Sequence, residues 1–221
     1  MIPIYDENKR GYFPFINYLL VLTNIIAFFF IQPVTETDAT KFFNQYGLIP
    51  NHLMQNPLQL KSYMSIFTSM FLHGGLMHLA GNMLYLWIFG DNIEYVMGHF
   101  RYFIFYLIVG LGAAVGQILI EPTSNVPMIG ASGAISGILG AYLLKFPRNK
   151  ISILIFLIII IRVIKVPAVI VLTLWFGLQL YSGYYHVSEG IPGGVAWFAH
   201  IGGFVSGFVL VKFFEAHPKR K

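Results

Sequence analysis

The sequence predicts an all-α, polytopic membrane protein, with six transmembrane helices in a single domain over residues 1–221 and both termini cytoplasmic. Three observations carry this reading. Only 10% of the residues are charged and 57% are hydrophobic, with a mean hydropathy of +0.69, whereas soluble proteins carry roughly 25% charged residues. The apolar residues fall in long runs, and a hydrocarbon core of ~30 Å takes about 20 helical residues to cross. With six crossings, all fourteen Lys and Arg except Lys41 and Lys61 fall on the side shared by Lys9, Arg10, Lys219, Arg220 and Lys221. That is the positive-inside pattern of a cytoplasmic face. The net charge of +5 therefore reflects topology and not nucleic acid, since the basic residues are dispersed between apolar runs. Cys is absent, which excludes disulfides, zinc–thiolate sites and a thiol nucleophile.

The first segment, 15–31, follows Lys9-Arg10 but is longer than a signal-peptide core, and no small-residue cleavage site follows it. It reads as a retained signal anchor, ended by Gln32-Pro33. The connection 33–77 holds two stretches, 40–46 and 61–71, that read as amphipathic helices lying in the interface. The second segment is 76–96 and the third 102–120, joined by a tight turn at Gly98. Gly112 and Gly116 give the third a small-residue packing face. A polar loop at 121–128 leads to the fourth segment, 131–146. Its helix from Ser132 is only about 22 Å long at 1.5 Å per residue. It is too short to cross alone, so its start lies below the surface and the preceding loop dips into protein. The very apolar stretch 151–161 is too short to span as a helix and reads as an interfacial or re-entrant segment. The fifth segment is 167–181, a loop at 182–194 holds His186 and Glu189, and the sixth segment is 195–214.

Polar groups inside such segments are expensive and mark function by default. Here they fall near the starts of the second, fourth and sixth segments, which run in the same direction. The second opens with His73, His78 and Asn82, the fourth with Ser132, and the sixth carries His200. His78 and Asn82, four apart, share a helical face; His73 lies about 140° away at roughly 100° per residue and serves some other purpose. Ser132 stands in Gly130-Ala131-Ser132-Gly133, in the first turn of a helix, where backbone N–H groups lack intrahelical partners. This Ser is either a nucleophile with oxyanion donors beside it or part of a small-residue face for helix packing, as Gly133/Gly137 and Ser136/Gly140 suggest. His200 is either a general base or a satisfied buried histidine. Contact between the glycine faces of the fourth segment and of the sixth (Gly202, Gly203, Gly207) brings His200 towards Ser132.

Three His also raise a metal site or a proton pathway. The H-E-x-x-H pattern of zinc hydrolases needs His four apart with a Glu between; His73 and His78 are five apart without one. No metal and no cofactor is expected. None of the nine acids falls at the depth of His200, so a hydrolase here is a Ser–His dyad with a base lacking an ionic orienter, and modest turnover follows.

These residues resemble the rhomboid family of intramembrane serine proteases. Three motifs match between about 60 and 210: His73-x4-His78-x3-Asn82 followed by Gly90, Glu94, Gly98 and Arg101; Gly130-x-Ser132-Gly133; and Ala199-His200-xx-Gly203. The resemblance implies a six-helix rhomboid-like bundle with its site open to the extracytoplasmic side. It implies Ser132 as nucleophile and His200 as base. The oxyanion hole would be His78, Asn82 and the N–H groups of Ser132 and Gly133. Glu94 and Arg101 would tie the second segment to the third, and the connection 33–77 would be a lateral, membrane-inserted element. The fifth segment and the loop at 182–194 would be a gate and cap for an entering substrate helix. Two departures stand out: Ser136 replaces the aromatic that in some relatives stacks on the catalytic His, and Tyr63 stands where a Trp is usual.

The expected function is an intramembrane serine endopeptidase acting on transmembrane protein substrates in the lipid bilayer, with Gly- or Pro-containing helices favoured. Gln117, Asn125 and His186 are candidates for a water path to the acyl-enzyme. A multi-pass protein of a bacterial or archaeal plasma (inner) membrane fits. The alternatives are a non-catalytic scaffold binding client transmembrane helices and a small transporter.

Overall fold

Residues 2–7, 12–157, 160–190 and 194–216 are described by the structure, a computed structural model. Lys9, Arg10, Lys219, Arg220 and Lys221, used above for topology, lie outside the described residues, as do 158–159 and 191–193. Helix α1 (Phe15–Ile26) runs on through a π turn, Ala27–Ile31. The long connection folds as α2 (Glu36–Tyr46), α3 (Pro50–Gln55) and α4 (Leu60–Thr68), the last extended by a tight turn at Ser69–Phe71. Then come α5 (Leu76–Met97), α6 (His99–Ile120), α7 (Ser132–Lys145), α8 (Ala168–Ser188) and α9 (Trp197–Phe214). Among the described helices α6, α8 and α9 are long and apolar enough to cross a membrane unaided. The protein is thus a mostly helical membrane protein.

The all-α expectation needs correction. Strands β1 (Ile2–Asp6), β2 (Lys150–Leu157) and β3 (Ile160–Pro167) form an antiparallel sheet in the order β1-β2-β3. Residues 151–157 therefore belong to β2 and 160–161 to β3, so the described part of this run is strand. The run is dense in Ile, whose branched side chains favour the pleated conformation. Ladder pairing from Lys150↔Pro167 to Leu157↔Ile160 supplies the backbone partners that a run too short to span as a helix would otherwise lack.

Helix α7 is the centre of the bundle. Every residue from Ala134 to Tyr142 is buried, the signature of a helix enclosed on all sides. It packs against α9 through glycines. A Cβ added at Gly203 would overlap the carbonyl of Gly133, and one at Gly207 that of Gly137. The two backbones are in contact, with no side chain between them. Helix α6 meets α9 similarly, Gly116 lying against Gly202. The far end of α7 is held by buried polar groups: Tyr142 Oη donates to Asp6 Oδ2 at 2.6 Å, Asn92 Nδ2 donates to the same oxygen at 3.0 Å, and Lys145 pairs with Glu215. The C-terminal ends of α5, α7 and α9 thus gather beside the sheet, and their N-terminal ends gather at the opposite face.

Helix α8 corrects a second boundary. It continues to Ser188, so 182–188 is helix where a loop was expected. Gly183 packs on Phe198 and Trp197 in the first turn of α9, and this tertiary contact offsets the low helix propensity of glycine.

Glu94, on α5, does reach α6, through the His99 ring, while Arg101 bonds elsewhere. Glu94 is fully buried and accepts from the backbone N–H of Ile16 at 3.0 Å and of Asn17 at 2.7 Å, and it also contacts the His99 ring. It caps the positive end of α1, where N–H groups lack helical partners. Arg101 lies about 200° around α6 from His99 and instead donates to the carbonyl of Glu215 at 2.7 Å. Tyr12 Oη sits 2.9 Å from the His99 ring, and burial, reinforced by the Glu94 charge, pushes its hydroxyl up to about 12. Glu94→Ala should therefore loosen α1 from the bundle and cost about 2–3 kcal/mol, since hydrogen bonds to a charged group are the stronger kind. Thermal unfolding in detergent measures it; an unchanged midpoint would contradict the capping role.

Candidate active site

Helices α5, α7 and α9 each reach the site by the first turn. Ser132 opens α7, His78 lies in the first turn of α5 with Asn82 one turn on, and His200 lies in the first turn of α9. Glycine contact between α7 and α9 determines how near the starts of these two helices can come. His200 Nε2 stands 2.9 Å from Ser132 Oγ. Small-residue packing and the approach of a hydroxyl to an imidazole are thus one arrangement; the first produces the second.

Gly130 shapes the turn into α7. Its φ of +123° disfavours any side chain, and a Cβ there would sit 2.8 Å from the His78 ring and 3.5 Å from Asn82 Nδ2. The turn therefore passes directly beneath His78 and Asn82. Asn82 Nδ2 is buried and has no hydrogen-bond partner among the described residues. A buried amide donor left unpaired costs free energy unless something else accepts from it.

His78, Asn82, Ser132 and His200 line one cavity of about 870 Å³. Its rim is built by Gln117, Glu121 and His186 and by the loop from Thr123 to Ile129. Glu121 bonds His186 Nε2 at 3.0 Å and also contacts Gln117, whose Oε1 accepts from the backbone N–H of Ala199 at 3.1 Å. This chain joins α6 to both α8 and α9 beside His200. Asn125 is on the same wall and accepts from Asn51 Nδ2 at 2.8 Å. Backbone bonds between Leu48 and Met128 complete the attachment of the long connection to this loop. Glu121 shares the cavity, a placement the sequence reading did not foresee, but its bonds run to Gln117 and His186. Among the described residues no three His, Asp or Glu cluster as metal ligands.

His73 is not in the cavity. It is buried, its backbone N–H and carbonyl clamped by the side chain of Gln32 at 2.8 and 2.7 Å, and its ring packs edge-on against His78 at 5.1 Å. It stands behind His78 as a support. Gly203 belongs to the α7–α9 contact, and Gly133 to the first turn beneath Ser132.

Sequence reasoning missed what surrounds the His200 ring. Ser136 donates to the carbonyl of Ser132 at 2.7 Å and makes no bond to the ring. Instead Gln179 Oε1, on α8, lies 2.7 Å from His200 Nδ1, and Trp175 and Trp197 flank the ring at 6.1 and 6.3 Å. The available signal is a lone amide, Gln179, in the apolar run of the fifth segment.

The comparisons with known proteins agree with the fold. The rhomboid domain family matches residues 60–216. The chain is 30% identical over 197 residues to the rhomboid protease GluP of Bacillus subtilis, covering 88% of this chain and 34% of that protein. It is 28% identical over 240 residues to RHOMBOID-like protein 1 of Arabidopsis thaliana, covering 94% and 55%, and 37% identical over 139 residues to RHOMBOID-like protein 4 of the same plant, covering 63% and 31%. The chain thus spans from about a third to about half of the length of these curated relatives.

Proposed function

The chain belongs to the rhomboid family, and from that premise we propose that it is an intramembrane serine endopeptidase that cuts transmembrane helices of other membrane proteins. The observation that carries the reading is the 2.9 Å approach of His200 Nε2 to Ser132 Oγ in the wall of a cavity. Ser132 Oγ attacks the scissile carbonyl carbon while His200 Nε2 takes its proton. The oxyanion meets the unpaired Asn82 amide, His78 and the free N–H groups of the first turn of α7 at Ser132 and Gly133. Collapse breaks the C–N bond, and His200 returns the proton to the leaving amine, which departs with one half of the substrate. Water then attacks the ester with His200 again as base, releasing the acid and restoring Ser132. Gln117, Asn125 and His186 line the route that water would take.

The reading includes six spans, α1, α5, α6, α7, α8 and α9, with both termini cytoplasmic, in the plasma membrane of a bacterium or archaeon. The interrupted α1, the polar inner face of α5 and the short α7 explain why only three spans stand out by hydropathy. Lys145, Lys150 and Lys165 cluster at the sheet end, and Lys41 and Lys61 belong to the connection at the site end, which supports this orientation. No nucleic acid and no cofactor enters the mechanism.

The test is a serine-directed fluorophosphonate added to the purified protein in liposomes, followed by peptide mapping. Label on Ser132 is expected, together with cleavage of a co-reconstituted transmembrane substrate. No label and no cleavage would leave a scaffold that binds client helices.

A further inference from the structure

Buried positions on α8 form one stripe, Ala168, Leu172, Gln179 and Gly183, and Gln179 is its only polar side chain. The opposite face, with Leu174, Leu178 and Tyr181, is exposed. An amide at a packed position on an apolar helix is costly unless bonded. The hydrogen bond recorded for Gln179 is to His200, Oε1 to Nδ1 at 2.7 Å.

A carbonyl oxygen has no proton to offer, so Nδ1 must carry the one in this bond. In a neutral ring Nε2 then holds the lone pair, and it faces Ser132 Oγ at 2.9 Å. The bonds therefore run one way, from the Ser132 hydroxyl to Nε2 and from Nδ1 to Gln179. Trp175 and Trp197 confine the ring as a plate, but neither distinguishes one nitrogen from the other; the Gln179 bond does.

We propose that Gln179 is a positioning residue, which holds His200 in the tautomer and orientation that accept the proton of Ser132. This rests on the reading of Ser132 and His200 as a dyad. Gln179 does for the base what a buried carboxylate does in a Ser-His-Asp triad, with a dipole in place of a charge. It accepts from Nδ1 before and after Nε2 is protonated, so the bond persists through the proton transfer. The bond also joins the base to α8, the least buried of the three clear spans.

The experiment uses the full chain in liposomes with a transmembrane substrate. Gln179→Met keeps length and removes the acceptor; Gln179→Glu keeps the acceptor. For each, kcat, KM, the phosphonate labelling rate at Ser132 and the unfolding midpoint are measured. Gln179→Met is expected to lower kcat and labelling together by roughly 10–100-fold, with KM and the midpoint little changed, while Gln179→Glu retains activity within a few-fold of wild type. Wild-type kcat in Gln179→Met, or a rise in KM alone, overturns the proposal. So does a Gln179→Glu protein that folds yet has lost its activity, an arm that stands even if the Met variant fails to fold. If the wild type itself neither cuts nor labels at Ser132, the dyad reading has failed, and this inference with it.

Discussion

Ser132→Ala is expected to reduce cleavage of a transmembrane substrate by on the order of 10⁴-fold or more, which is about 5.5 kcal/mol of barrier. The substitution deletes one oxygen from the first turn of a helix whose backbone positions are dictated by glycine contact with α9, so the fold and the unfolding midpoint should be unchanged. His200→Ala should be comparably severe, since without Nε2 the hydroxyl attacks with its proton still attached. The double variant should be scarcely worse than either single one, because the two groups act as one unit. Additive losses in the double variant would mean that hydroxyl and imidazole work independently, against the 2.9 Å bond joining them. Substantial cleavage by Ser132→Ala would remove the nucleophile assignment outright.

Gly207→Val is the most damaging substitution expected away from the reacting groups. Its side chain would be driven into the carbonyl of Gly137, a backbone atom that no rotamer change can move aside. Overpacking typically costs 1–3 kcal/mol, and here about 3 kcal/mol or more is expected because the helices must separate along their length. The separation also draws His200 away from Ser132, so the protein that remains folded should be poorly active. Gly177→Ala on α8 is the control. Nothing lies within 4 Å of its added methyl group, and alanine is the better helix former by about 1 kcal/mol, so stability should hold or rise. Equal losses in both would show that glycine content, and not the α7–α9 contact, matters. Unfolding midpoints and cleavage rates, measured side by side, separate the two.

Much of this arrangement was legible beforehand because bilayer physics writes itself plainly into a sequence. Helices α5, α6, α7 and α9 begin and end within a few residues of the apolar runs that announced them. Ser132, His78, Asn82 and His200 were conspicuous because polar groups in such runs are rare. The sheet was not legible. The chain from Ile151 onward carries a strand-forming composition, but in so apolar a protein that composition reads equally as a short membrane segment, and its partner β1 lies far away in sequence. The end of α8 was misplaced because Ser182-Gly183 resembles a stop signal, and only the contact with Phe198 shows why it is not one. Gln179 escaped because its importance lies wholly in a bond across helices. Which residue of α6 Glu94 meets also escaped, because two residues of helical rotation separate His99 from Arg101, a matter of angle that spacing alone left unresolved.

The pairing of β1 with β2 has a consequence for assembly during synthesis. Asp6 must wait for Tyr142, 136 positions later, and the strand before it must wait for Ile151 to Leu154. Contacts of such separation close late and slowly. Nascent chains halted before the hairpin emerges would thus have their helices inserted while residues 2–6 stay open to protease, and sealing of that edge would report completion of the bundle.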